Sequence, residues 1–272
     1  MTERSPDPDS LRYATHWEPV LAAPGRRLLR RIDVMPTTFL DVGAGTGSLT
    51  MAAAARWPDA RILSLDASAG MLSVAQHRVA TERGGDADRF EWLIADALAM
   101  PLADGSVDVA VSSFVIQVVA DRRALLREVL RVLRPGGTLG LVAWLADELL
   151  LAADDAFAGV VAEMGLDEEG GGFRSSRTTD YRALGETADE LDAAGFTGVD
   201  VQADELRHAW TREEYLVFKE QYDDRDVFES LDESGRARLR KAVRRRWAEL
   251  PDEAFRVSGP LVSAIAQRPF EG

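Results

Sequence analysis

The sequence has no cysteine and only three histidines, which excludes several kinds of chemistry. Without cysteine the chain has no disulfide, no thiolate metal ligand and no cysteine nucleophile. The histidines His16, His77 and His208 are far apart and do not show the clustered spacing of a histidine-rich metal site. We therefore expect this protein to hold no metal ion.

Long hydrophobic runs and positive charge are also scarce. No stretch reaches the roughly 18 consecutive apolar residues of a membrane span, and the opening MTERSPDPDS contains no hydrophobic signal segment. The 46 acidic residues outnumber the 32 basic ones, and a net charge of −14 repels the phosphates of nucleic acids. We expect a cytoplasmic protein that acts on a small molecule, with no nucleic-acid or membrane partner. Both a monomer and a homodimer remain open.

The pattern along the chain predicts one large domain. Residues 1–10 are rich in proline and charge and predict a disordered tail, and residues 11–272 suffice for a single core. Within residues 38–144, short apolar runs alternate with amphipathic stretches, which is typical of a parallel sheet with crossover helices. The predicted strands there are TFLDV, RILSLD, FEWLIAD, VDVAVSS and TLGLVAW, the last of them preceded by a turn at LRPGG.

The second half of the chain adds helices and two more strands. Residues 145–183 and 211–250 are predicted as helical insertions that build a substrate pocket, with the glycine-rich loop of residues 165–180 as a lid. Thr187 and Glu190 predict a capping box for the helix TADELDAAGF, and GVDVQA and PLVSAIAQ predict strands. The expected fold class is α/β, with seven strands in a mostly parallel sheet and helices on both faces.

The stretch FLDVGAGTGSLT, Phe39 to Thr50, predicts a ligand cradle between the first strand and its helix. A phosphate-binding P-loop needs a Gly-Lys-Ser/Thr sequence, but Gly47 is followed by Ser48 and no lysine. A dinucleotide loop needs G-x-G-x-x-G/A, and its third position is Ser48. A nucleoside triphosphate is therefore disfavoured, and a nicotinamide or flavin dinucleotide becomes the second choice.

Carboxylates after the first three strands indicate a cationic ligand. Asp41 precedes the glycines, and its charge would repel a pyrophosphate but suits the sulfonium and ammonium groups of S-adenosylmethionine. Asp66 ends the second strand, where its carboxylate can accept both hydroxyls of a ribose. Asp66 and Asp96 also fit the pattern of helix N-caps, and both readings remain open.

These motifs resemble those of the class I S-adenosylmethionine-dependent methyltransferases, in particular the small-molecule group similar to the ubiquinone/menaquinone C-methyltransferases. The resemblance covers residues 38–144 and implies a Rossmann-like fold, S-adenosylmethionine as methyl donor and S-adenosylhomocysteine as product. It implies that Asp66 binds the ribose, that Met71 packs near the adenine, and that Asp96 with the N–H of Ala97 binds the adenine edge. The expected cofactor-binding residues are Tyr13, Asp41, Gly43, Ala44, Gly45, Gly47, Asp66, Ala67, Met71, Asp96, Ala97 and Ser113.

Catalytic groups are harder to identify. The resemblance implies that the N-terminal aromatic segment LRYATHWEPV closes over the cofactor, with Tyr13, His16 and Trp17 in one wall and His16 as the candidate base. An amphipathic helix packed on the sheet edge, with a structural His16, explains the segment equally well. After the fourth strand the family often has two histidines, whereas this chain has Gln117 and Val118, which places a base at that site in doubt. Three functions remain open: methyl transfer to an oxygen, nitrogen or carbon of a small acceptor, cofactor binding without methyl transfer, and nicotinamide-dependent oxidoreduction.

One strongly basic segment, RARLRKAVRRRW at residues 236–247, stands out in this acidic chain. A solvated helix face explains it, and so does a surface that docks an acidic carrier protein or a phosphorylated substrate. The sequence leaves these interpretations open.

Overall fold

The computed structural model describes residues 6–145, 151–166 and 180–270. Seven strands form one sheet in the order β3-β2-β1-β4-β5-β7-β6. Their bounds are β1 Thr38–Val42, β2 Arg61–Asp66, β3 Phe90–Ile94, β4 Val107–Ser113, β5 Leu133–Trp144, β6 Thr197–Ala209 and β7 Arg256–Gln267. The pairs β1–β2, β1–β4, β2–β3 and β4–β5 are parallel, and β5–β7 is antiparallel. The predicted mostly parallel seven-stranded sheet is confirmed.

Ten α-helices lie in the described part of the chain. They are α1 Pro8–His16, α2 Glu18–Arg31, α3 Ser48–Arg56, α4 Ala69–Arg83, α5 Arg122–Val132, α6 Ala152–Glu163, α7 Leu184–Ala193, α8 Arg212–Phe218, α9 Arg225–Glu229 and α10 Glu233–Trp247. Single 3₁₀ or π turns cover Gly84–Arg89, Lys219–Asp223 and Asp252–Phe255. None of these helices combines the length and the apolar character that a membrane crossing requires.

The sheet is buried on both faces because its central strands are apolar at successive positions. Leu40 and Val42 of β1 face a cluster that includes Leu125 of α5, whereas Gly140 of β5 lies against Leu28 of α2 on the other face. This continuous apolar pattern is typical of parallel strands covered by helices on each side. The register aligns the carboxyl ends of β1, β2 and β4 at one edge, where ligands of such sheets bind.

The chain forms two compact units, whereas the sequence predicted one domain with two insertions. Unit 1 comprises residues 1–146, 179–205 and 260–272, and unit 2 comprises residues 147–178 and 206–259. In unit 2, the two segments pack through α6 and α10. Trp247 of α10 is buried and donates a hydrogen bond from Nε1 to the Ala153 carbonyl at 3.0 Å. The two predicted insertions thus share one core.

Three local predictions are wrong at their boundaries. The tail predicted for residues 1–10 is too long, because Asp7 caps α1 by accepting a hydrogen bond from the N–H of Ser10 at 2.9 Å and the helix begins at Pro8. The capping box is also wrong: α7 begins at Leu184, and Thr187 and Glu190 lie buried inside it. The third is β5, predicted to start after the LRPGG turn; it begins at Leu133, and its pairing with β4 shifts register after Val107. Residues 167–179 of the predicted lid lie outside the described residues.

Candidate functional site

The glycine loop, residues 43–47, is tied to the end of β2. The N–H groups of Gly43 and Ala44 both donate to the Leu65 carbonyl, at 2.8 and 2.9 Å. Gly47 ends the loop with φ +88°, and a Cβ at this position would lie 2.8 Å from the Cβ of Ala75 on α4. Only glycine allows both the left-handed turn and this close approach of two helices. These contacts define the shape of the loop.

Asp66, at the end of β2, braces the loop from the other side. One carboxylate oxygen accepts a hydrogen bond from the N–H of Gly45 at 2.8 Å, and the other accepts one from the N–H of Ser68 at 2.8 Å. A carboxylate has about four lone-pair positions, so each oxygen retains capacity for another donor. The half-exposed Asp66 side chain can therefore hold the loop and accept two hydroxyl groups of a ligand.

Asp41, on β1, is buried in the pocket wall with 1% of its surface exposed. Its Oδ2 accepts a hydrogen bond from the Thr50 hydroxyl at 2.7 Å, and that hydroxyl lies 2.9 Å from the Ser64 hydroxyl. Burial raises the pKa of Asp41 to about 7, opposed by the Thr50 hydrogen bond and assisted by the charge of Asp66. The negative charge expected here from the sequence is therefore present only in part at neutral pH, and a cation in the pocket would favour it.

Glu18, at the start of α2, connects the N-terminal helices to the glycine loop. Its side chain is buried and accepts hydrogen bonds from the Thr46 hydroxyl and from Nη1 of Arg78, the latter at 2.5 Å. Arg78 on α4 also donates to the Thr46 carbonyl at 3.0 Å. Loop, α2 and α4 are thereby joined by one charged cluster.

A second contact fixes α1 against the start of α4. The carboxylate of Asp7 and the hydroxyl of Ser10 lie directly over Gly70, where an added methyl group would overlap the Asp7 side chain. Gly70 and Arg78 are eight residues apart on α4, a distance of about 12 Å along the helix. Contacts at the start of α1 and at the start of α2 thus attach the N-terminal helix pair, α1 and α2, to α4.

These elements line an open pocket that lies within unit 1. Its lining residues are Tyr13, Glu18, Leu21, Ala22, Gly25, Asp41, Gly43, Ala44, Gly45, Thr46, Ser48, Leu49, Ser113 and Phe114. The wall combines apolar side chains with two buried carboxylates and the backbone of the glycine loop.

The structure brings together about half of the residues expected to bind the cofactor. Those in the pocket wall are Tyr13, Asp41, Gly43, Ala44, Gly45 and Ser113. Those outside it are Gly47, Asp66, Ala67, Met71, Asp96 and Ala97, together with the candidate base His16. Asp66 contacts Gly45 directly, and the N–H of Ala95 donates to the Asp66 carbonyl at 3.1 Å. Asp96 is exposed and accepts a hydrogen bond from the N–H of Leu98, so it lies at the same sheet edge as Asp66.

The pocket wall also contains residues that the sequence did not single out as cofactor ligands. They are Glu18, Leu21, Ala22, Gly25, Thr46, Ser48, Leu49 and Phe114. Thr46 and Ser48 are neighbours of the predicted glycines, so their place in the pocket wall could have been predicted from the loop motif. Nothing in the sequence indicates that Glu18 lines the pocket, because its partner Arg78 is 60 residues away in the chain. Trp17, expected near the cofactor, is instead buried with 5% exposure and does not line the pocket.

Phe114, directly after β4, has a strained backbone. Its φ is +61°, a left-handed value rare for an aromatic residue, and its ring packs against Trp144 at 5.4 Å between centroids. Such strain persists where the surroundings hold it, and it is frequent at ligand sites. The turn presents Ser113 and Phe114 together in the pocket wall.

Comparison with known proteins identifies the central part of the chain. Residues 40–141 match the family model described as a methyltransferase domain. The malonyl-[acyl-carrier protein] O-methyltransferase of Xylella fastidiosa is 34% identical over 137 residues, 49% of this chain and 44% of that relative. The ubiquinone/menaquinone biosynthesis C-methyltransferase of Dinoroseobacter shibae is 43% identical over 101 residues, 37% of this chain and 40% of that relative. The chain thus spans less than half the length of these curated relatives.

Solved structures share the fold at low sequence identity. Phosphoethanolamine N-methyltransferase 2 of Haemonchus contortus, in complex with phosphomonomethylethanolamine and S-adenosylhomocysteine, has a TM-score of 0.56 at 20% identity, covering 98% of this chain and 58% of that one. The [4+2]-cyclase SpnF has a TM-score of 0.59 at 19% identity, covering 94% of this chain and 84% of that one. The fold and the glycine loop agree with the family model, and residues 40–141 match a methyltransferase domain.

Proposed function

We propose that the protein transfers a methyl group from S-adenosylmethionine to an oxygen, nitrogen or carbon nucleophile of a small, partly apolar molecule. The observation that carries this proposal is the pocket between the glycine loop and the N-terminal helix pair, in a methyltransferase domain. Its wall contains Asp41, whose ionised form favours a ligand with positive charge. Asp66 and Asp96 lie at the adjacent strand ends, where they can accept hydrogen bonds from an adenosine.

Each residue has a distinct part in holding the methyl donor. Asp66 would accept the two ribose hydroxyls with its remaining lone pairs, and Asp96 and the N–H of Ala97 would bind the adenine edge. The glycine loop, with Asp41 close behind it, would bind the amino-acid end. The donor supplies an already activated electrophile, a methyl group on a positively charged sulfur. These assignments follow the resemblance and stay predictions.

The protein's contribution to the reaction is mainly positioning. The lone pair of the acceptor nucleophile forms a bond to the methyl carbon while the carbon–sulfur bond breaks and its electrons stay on sulfur. Alignment of two reactants can supply about 7 to 11 kcal/mol, and a base is needed only when the nucleophile carries a proton. The attached N-terminal helix pair would exclude water from the aligned pair. His16 is half-buried and does not line the pocket, so its role as base stays a prediction.

The acceptor is the open part of the proposal. Relatives are named for methylation of a malonyl group on an acyl carrier protein and for C-methylation of a quinone precursor. Both are small groups that combine polar and apolar parts, in agreement with the apolar residues of the pocket wall. We propose an acceptor of this kind, from secondary or quinone-type metabolism or bound to a carrier protein. That residues 145–183 and 211–250 bind it stays a prediction.

The second candidate function is cofactor binding without methyl transfer. It is favoured by one observation, the fold shared with a protein described as a [4+2]-cyclase. A nicotinamide-dependent oxidoreductase is less favoured, because the position of its third loop glycine is Ser48.

Calorimetric titration with S-adenosylmethionine tests the cofactor site. We expect saturable binding by the wild-type protein and at least tenfold weaker binding by Asp66→Ala, which loses two charge-assisted hydrogen bonds to the ribose. The matched control is Asp59→Ala, because Asp59 is exposed at the amino end of β2, away from the pocket. Equal binding by both variants would show that the ribose site is elsewhere. A dinucleotide that co-purifies, identified by mass spectrometry, would exclude the methyl donor.

Radiolabelled methyl transfer to a panel of phenols, quinols, amines and carboxylates then separates the two candidate functions. Incorporation into any member supports a methyltransferase. The panel is then extended to carrier-bound thioesters. If the protein binds the cofactor but labels no member of this panel, it uses the cofactor for a purpose other than methyl transfer.

A further inference from the structure

Helix α10 of unit 2 carries a concentration of positive charge that the proposed function does not yet use. It contains one acidic residue, Glu233, and seven basic ones, at positions 236, 238, 240, 241, 244, 245 and 246. Three of the arginines pair with acidic residues of the same unit. The pairs are Arg240–Glu220 at 2.5 Å, Arg244–Glu213 at 2.8 Å and Arg246–Glu163 at 2.6 Å. These pairs lie on the flanks of the helix and help to seat it.

Three other cations of α10 share one stripe. Arg238, Lys241 and Arg245 are exposed, and no acidic partner is found for them in the described part of the chain. Arg238 donates a hydrogen bond to the Ser234 hydroxyl at 3.0 Å. Spacings of three and four residues place the three side chains on one line, about 10 Å long. We call Arg238, Lys241 and Arg245 the basic stripe.

The basic stripe lies opposite the side of α10 that is packed into unit 2. Leu239, Val243 and Trp247 are buried, and at about 100° per residue their mean direction is roughly 170° from that of the stripe. The stripe therefore points away from the core of its unit. It makes no contribution to packing.

Three aligned cations that have no acidic partner among the described residues cost the helix stability. Like charges at spacings of three and four residues repel one another and destabilise a helix. A helix face that only contacts solvent does not need charges of a single sign. This chain is rich in acidic residues, yet none lies among the three cations. Negative charge supplied by a partner would turn the repulsion into attraction.

We propose that the basic stripe is the docking surface for an acidic helix of a carrier protein that presents the acceptor. A row of carboxylates at helical spacing on the partner matches three cations spread along a line, whereas a single phosphate would need cations that converge on a point. A net charge of −14 opposes a long polyanion such as nucleic acid but leaves a local contact with an acidic helix favourable. The inference rests on the proposed function, because it states that the methyl acceptor is delivered while bound to a carrier protein.

The test compares two triple variants with the same change of charge. Arg238→Ala/Lys241→Ala/Arg245→Ala removes the stripe. The control, Arg26→Ala/Arg30→Ala/Arg127→Ala, removes three exposed cations of α2 and α5 that also have no acidic partner in the described residues. Binding to malonyl-acyl carrier protein and to the unloaded carrier is measured by surface plasmon resonance at 50 and 300 mM NaCl. We expect micromolar, salt-sensitive binding by the wild-type protein, at least tenfold weaker binding without the stripe, and a change within twofold in the control.

The other outcomes overturn the proposal. An equal loss in both variants would mean that only net charge matters, and absence of carrier binding by the wild-type protein would remove the partner. Stripe-dependent binding of heparin or of a phosphorylated small molecule, without carrier binding, would assign the stripe to a different anion. A lower melting temperature of the stripe variant would show that its cations are paired within the chain. Carrier binding is measured without the methyl donor, so failure of the proposed cofactor site would appear separately, in the calorimetric titration.

Discussion

Asp41 lies in the pocket wall with almost no exposure to water, and this burial raises its pKa to about 7. The sequence predicted a fixed negative charge at this position, since an exposed aspartate titrates near pH 4. Depth in the sheet was not visible in the sequence, because an acidic residue at a strand end is usually exposed. The consequence is a pocket whose charge depends on pH in the neutral range.

We predict that S-adenosylmethionine binds more tightly as the pH rises from 6 to 8. A sulfonium and an ammonium group favour the ionised form of Asp41, so binding releases a proton wherever the free pocket holds one. Calorimetry in two buffers of different ionisation enthalpy measures this release directly. Asp41→Asn should bind more weakly at pH 8 and show no pH dependence, and a pH-dependent Asp41→Asn protein would assign the proton to another group.

The N-terminal helix pair forms one wall of the pocket. Two contacts join it to α4. The Asp7 carboxylate lies against Gly70, and the Glu18 carboxylate accepts a hydrogen bond from Arg78. We predict that Gly70→Ala displaces α1, because a methyl group would overlap the Asp7 carboxylate that also caps the helix. Loss of such a cap costs about 1 kcal/mol. Hydrogen exchange of the α1 amides should accelerate, and cofactor affinity should fall several-fold.

The control for this change is Gly185→Ala in α7. A Cβ at Gly185 would meet no atom within 4 Å, so the substitution should stabilise the protein by about 0.5 to 1 kcal/mol through helix propensity. Gly185→Ala should leave exchange in α1 unchanged. If Gly70→Ala behaved in the same way, α1 would not depend on this contact.

Elements were predictable from the sequence where local pattern and burial agree. The bounds predicted for β1, β2 and β4 are confirmed, because short apolar runs flanked by turn residues have few alternative structures. The capping box predicted at Thr187 and Glu190 is wrong, because α7 begins earlier and Glu190 lies within the helix. There Glu190 forms an ion pair of 2.8 Å with Arg122, which is 68 residues away in the sequence. A local signal was overridden by a partner that sequence spacing does not indicate.

For the molecule as a whole, topology was the predictable part of the site. Consecutive parallel strands end at one edge, so Asp41 and Asp66 could be placed together from their positions alone. The contribution of Glu18 could not, since it depends on how α2 crosses the loop. The two units were not predicted either, because unit 2 is assembled from segments separated by a part of unit 1.

Stability of the whole molecule should depend on pH in two opposite ways. Burial raises the pKa of Asp41 to about 7 and that of Asp224 to about 6, so both favour the folded state while protonated. This contribution begins to fall above the ordinary aspartate pKa of about 4 and is gone once the pH passes the folded-state pKa of each group. Glu128, Glu213 and Glu220 each accept a hydrogen bond from an arginine, which lowers their pKa. Their contribution is present above their ordinary pKa and is lost as the pH falls below about 4.5.

We therefore predict that the protein without ligand is most stable between about pH 4 and 5. Melting temperatures measured by circular dichroism from pH 3 to 8.5 should pass through a maximum there and fall by several degrees towards pH 7. Asp41→Asn cannot ionise, so it should remove much of the decline between about pH 5 and 7, and saturating S-adenosylmethionine should reduce it, because the cation stabilises the charged form. A melting temperature that rises steadily from pH 5 to pH 8 would contradict the prediction, since the buried carboxyl groups would then ionise without cost to the fold.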